Sequence, residues 1–197
     1  MTSINGRTAR IARLHFVQRP LPHGTLSMDS TPPPPAASRA IGEMAPRELA
    51  LLAEHARSLM RAADAGATQP LLRGRRFGVL CGADDVGNDD VALFNRASVE
   101  LGAQVAYVRP QLTELSEPQE VKRTAHILGR LYDALMCPGL APAFVHRLST
   151  DAGIPLYDGL ASPSHPVAKV ADMLGRAHLV ADNRRFALQA LLLATVA

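Results

Sequence analysis

Hydrophobic positions along this chain alternate between two periods. In "APRELALLAEHARSLMRAA" (45–63), Leu49, Leu52, Ala56 and Leu59 recur at helical spacing. "RRFGVLCG" then reads as a strand, with the strand-like run Phe77 to Cys81. A helical pattern returns from about Val91 in "VALFNRASVELG", with Leu93, Ala97 and Leu101 on one face and Gly102 as its stop. "AQVAYVRP" reads as a second strand ended by Pro110. "EPQEVKRTAHILGRLY" is a helix opened by Pro118 and striped by Val121, Ala125, Leu128 and Leu131. A third strand, "DALMCPG", a helix, "APAFVHRLSTDAG", and a fourth strand, "IPLYDGL", follow. "HPVAKVADMLGR" and "VADNRRFALQALLLATVA" close the pattern as two helices, the last with Leu188, Leu191, Leu192 and Thr195 on a face that must be buried.

Strands and helices in this alternation imply right-handed crossovers around a parallel sheet. The expected fold is α/β: four parallel strands flanked by helices in three layers. Such sheets bind ligands at the carboxyl ends of their strands. Four segments are expected there: the loop 82–90, Arg109, Cys137-Pro138-Gly139, and "DGLASPSHP".

Composition changes the picture at the start of the chain. Residues 1–27 hold Arg7, Arg10, Arg13 and Arg19 and no acid, and "STPPPPAAS" (30–38) cannot form a helix or a central strand. Residues 1–43 are read as a disordered arm or the product of a start codon placed too early, with Met28 or Met44 as alternatives; a targeting or nucleic-acid arm is the sharper reading. A single domain is expected over 44–197. The net charge of +3 over 197 residues selects no partner class. Cys81 and Cys137 fall in strand runs and are expected to be buried and reduced, as in a cytoplasmic protein. No run of 18 apolar residues marks a membrane span, and the Arg-bearing start lacks a signal peptide's apolar centre. Arg73, Arg75 and Arg76 read as a solvated edge. Neither nucleic acid nor membrane is expected as a partner.

The loop "GADDVGNDD" (82–90) holds the candidate chemistry. It stands where a helix N-terminus would offer free N–H groups to an anion, yet it carries Asp84, Asp85, Asp89 and Asp90. It reads as a solvated acidic loop, as a divalent-cation site using these carboxylates and Asn88, or as a contact for a cationic ligand. Its spacing lacks the distal bidentate Glu of a known calcium loop. Asn88 or Asp89 suits the cap of the following helix. His165 reads as a helix-entry residue beside Pro166, with Ser164 as the cap. His126 and His146 lie within helices and read as surface. There is no convincing nucleophile–base pair, nucleotide-binding glycine pattern or zinc spacing, so neither metal nor cofactor is expected.

From Met44 to Leu174 the chain resembles the first domain of the ornithine and aspartate carbamoyltransferases. The resemblance rests on "LLRGRRFGVL…LGAQVAYV", "EVKRTAHILGRLYDALM", "GIPLYDGL" and "HPVAKVADML"; "ADNRRFALQALLLATVA" resembles that family's last helix. It implies that a second, amino-acid-binding domain has been deleted and its flanking helices joined near Gly175–Val180, leaving 180–197 to pack back on the first domain. It also implies a metal-independent carbamoyl-transfer ancestry and a homotrimer. The family's Ser-Thr-Arg-Thr-Arg loop falls on Gly87, Asn88, Asp89, Asp90 and Val91. A further family arginine falls on Pro138. Of the His-Pro-x-Gln segment His165 and Pro166 remain, but the Gln position is Ala168. The family's histidine contacts the carbamoyl carbonyl, so His165 is a residual family position. A dianion facing the acidic loop would be repelled by about 1–4 kcal/mol per like-charge contact. The expectation is a non-catalytic family member with a structural, interaction or small-ligand role. The alternative is a carbamoyltransferase component that works with a partner chain, such as a full-length homologue, supplying the amino-acid domain.

Overall fold

The structure is a computed structural model that describes residues 44–81, 88–109, 112, 116–175 and 179–196. The elements run α1 (Pro46–Asp64), β1 (Arg76–Leu80), α2 (Asp89–Glu100), β2 (Gln104–Val108), α3 (Pro118–Leu131), β3 (Ala134–Met136), α4 (Pro142–Ala152), β4 (Leu156–Tyr157), α5 (Pro166–Met173) and α6 (Val180–Val196). The four strands are parallel in the order β2-β1-β3-β4. That order reverses direction between β1 and β3, which places the sheet's crevice at the carboxyl ends of those two strands.

Four of the helices, α1, α3, α4 and α5, open with a proline in their first turn, where its missing N–H is not needed and its fixed φ suits the helix. Gly102 ends α2 with φ +84, and an added Cβ would meet the Pro70 side chain at 2.6 Å, so only glycine turns the chain there. At the sheet's amino end, Asp133 ties β1 to β3. Its Oδ2 accepts the Arg76 N–H at 2.8 Å, its Oδ1 accepts from Arg75 at 3.1 Å, and its own N–H donates to the Arg76 carbonyl. Arg75 therefore has a structural partner, whereas Arg73 and Arg76 are exposed.

Alternate residues of each strand serve two cores. Phe77, Val79, Ala134, Met136 and Tyr157 face the layer of α1, α2, α5 and α6, where Phe94 bridges Phe77 and Tyr157 at ring separations of 5.8 and 5.6 Å. Leu80, Leu135, Cys137 and Leu156 face α3 and α4. Those two helices approach closely at Gly129, where a Cβ would lie 2.1 Å from the Ala152 carbonyl oxygen.

The hydrophobic stripes differ from expectation in detail. In α2 the fully buried residues are Val91, Phe94, Ala97 and Ser98, and Leu93 is half-buried. Leu131 of α3 is exposed, because the helix ends there and turns toward β3. In α1 Leu52, Ala53, Ala56 and Met60 are buried, with Leu49 and Leu59 at the margin. The largest departure is α6. Asn183, Gln189 and every residue from Phe186 to Leu192 are buried, so it is a central helix covered by α1, α2 and α5 rather than a surface helix with one apolar face.

Candidate functional site

Asn88, Cys137 to Gly139 and Asp158 to Pro166 follow the carboxyl ends of β1, β3 and β4, and the local chemistry there is set by two helix starts. Asp84, Asp85 and Gly87 lie outside the described residues, so the described part of the acidic loop begins at Asn88. Asn88 is the N-cap of α2: its backbone is extended, and its side-chain oxygen accepts the Asp90 N–H at 2.8 Å. Asp89 and Asp90 fill the first turn, where carboxylates compensate the positive end of the helix dipole. An anion arriving at this terminus therefore finds an N–H already bonded and the field already answered.

The second start is α5. His165, not Ser164, is its N-cap. Pro166 occupies the first helical position and confines the residue before it to extended backbone, so His165 sits at φ −65, ψ 142. Its Nδ1 accepts the Val167 N–H at 3.1 Å. Ser164 instead belongs to the preceding turn, where its hydroxyl is 2.8 Å from that of Ser162. With Nδ1 accepting, the imidazole proton resides on Nε2, and that atom is buried without a hydrogen-bond partner. Burial first, then the Arg184 and Lys169 charges, pull the His165 pKa down to about 4. The group is a neutral donor over the physiological range.

The remaining positions combine apolar residues with a few cations at the margin. Pro138 and Ala168, the positions where the family resemblance implies Arg and Gln, are buried. Cys137 is buried beside Asp158; burial, reinforced by that carboxylate, raises the thiol pKa, and burial raises the carboxyl of Asp158. Arg109 stands exposed after β2. The Arg184 guanidinium donates to the Ala161 carbonyl at 3.0 Å and holds the loop before His165. His126 and His146 are exposed on α3 and α4. Among the described residues no cluster of His, Cys, Asp or Glu could hold a metal ion, and no helix is long and apolar enough to cross a membrane.

Sequence reasoning missed Asn183. Its Nδ2 donates to the Gly175 carbonyl at 2.7 Å, fastening the end of α5 to the start of α6. The polar run Asp182-Asn183-Arg184-Arg185 gave no sign of which member is buried, although once buried such an amide calls for a backbone partner.

Over 128 residues the chain is 32% identical to an ornithine carbamoyltransferase of Haemophilus influenzae strain PittGG, an alignment that takes in 65% of this chain and 38% of the relative. A catabolic ornithine carbamoyltransferase of Chromobacterium violaceum is 32% identical over 133 residues, 67% of this chain and 39% of that protein. The chain thus spans about two fifths of the length of the curated relatives it matches. Among solved structures, aspartate transcarbamoylase from Trypanosoma cruzi in complex with carbamoyl aspartate and phosphate superposes with a TM-score of 0.55 at 21% identity, covering 73% of this chain and 48% of that one. Ornithine carbamoyltransferase from Pyrococcus furiosus gives 0.52 at 22%, covering 65% and 40%. No family model matches the chain.

Proposed function

We propose that this chain, related in sequence and fold to the ornithine and aspartate carbamoyltransferases, is a non-catalytic member of that family with a structural, interaction or small-ligand-binding role. One observation carries the reading: the helix start that would receive a phosphate is closed by the chain itself. Asn88 caps α2, and Asp89 and Asp90 occupy its first turn. Carbamoyl transfer depends on holding two substrates in register and stabilising negative charge as it develops. The described groups at the crevice are carboxylates, a neutral imidazole, Pro138 and Ala168; of the cations near it, Arg184 is bonded to the Ala161 carbonyl, and Lys169 and Arg109 are exposed. His165 offers one unpartnered N–H and no charge. Residues 174–179 alone separate α5 from α6, which supports loss of an inserted amino-acid domain at that point.

The test is direct. Calorimetry and thermal melts with millimolar carbamoyl phosphate are expected to show no binding and no stabilisation. Assays for citrulline and carbamoyl-aspartate are expected to stay at background. Asp89→Arg is expected to leave activity at background, since Pro138, Ala168 and the missing domain are unchanged. Tight binding to the unmodified chain would refute the proposal.

A second reading has one observation in its favour. Leu179 and Val180 are each 75% exposed at the α5–α6 junction, the place where a partner's domain would join. Activity appearing only when the chain is mixed with a full-length homologue would support a partner-dependent carbamoyltransferase component. The resemblance also supports a homotrimer; light scattering giving a dimer mass at micromolar concentration would count against it.

A further inference from the structure

We draw no further inference here: the strongest candidate, the exposed surface of the edge strand β2 at Ala106 and Tyr107 with Ile127 and Leu131 on α3, is an unpartnered apolar face, and nothing in the structure shows what covers it.

Discussion

Replacing His165 with Asn separates two roles that the imidazole combines. An asparagine oxygen can accept the Val167 N–H as Nδ1 does, so the cap of α5 survives while the titrating group is lost. In the native protein the folded pKa is about 4, below the ordinary histidine value of 6.5. The unfolded chain therefore binds more protons between those values, and stability contributed by keeping the imidazole neutral is present above pH 6.5 and is lost as pH falls toward 4. Linkage over that shift gives a loss of about 2 kcal/mol by pH 5 and about 3 kcal/mol by pH 4. His165→Asn lacks that term. The other carboxylates and histidines titrate in both proteins and cancel in the difference. Urea melts at pH 7 and pH 5 are thus expected to show the native protein losing roughly 2 kcal/mol more than the variant. Thermal midpoints should converge by about 4–8 °C over the same interval. NMR of the His165 ring should show the Nε2–H tautomer and no titration between pH 5.5 and 8. Parallel pH curves for the two proteins, or a His165 midpoint above pH 6, would refute the argument from burial.

Three other substitutions test separate features. Asn88→Ala removes the α2 cap and should lower stability by about 1 kcal/mol, a shift of 2–4 °C by calorimetry, while Asn88→Asp should retain most of it. Gly129→Ala places a methyl against the Ala152 carbonyl, so α3 and α4 must separate; a destabilisation of about 1–3 kcal/mol in denaturant melts is expected, and an unchanged midpoint would count against so close an approach. Cys137 is buried and its thiol pKa is raised by burial, so a thiol reagent at pH 8 should label it only at the rate of unfolding.

The fold was legible because each strand and helix announced its own period. Phe77 to Cys81 read as a strand between two helical patterns, and Pro118 and Pro166 marked helix starts locally. The stripes were less legible: whether Leu131 or Leu93 is buried depends on where a helix ends and which neighbour lies over it, and no local pattern carries that. The α6 helix shows the limit most clearly. Its sequence supplied enough apolar residues for one buried face, but that three helices cover it is a property of the assembled layer. At the crevice, Asn88 as a cap followed from residue type and position. His165 as a cap did not, because histidine is an uncommon choice there and only the backbone restriction before Pro166 put its ring in place.

The buried position of α6 also dictates when the protein can finish folding as it is made. Strands β1, β3 and β4 with α3 and α4 form a core from residues 80–156, all of which precede α6 in the chain. The opposite face of the same sheet waits for residues 180–196. Until then Phe94, Tyr157 and Leu52 border an empty slot the width of a helix, and the α1–α6 contact must close across more than a hundred intervening residues. The nascent chain thus passes through a stage with one side of its sheet complete and the other open to water, the kind of half-covered intermediate that draws chaperones or sticks to its neighbours.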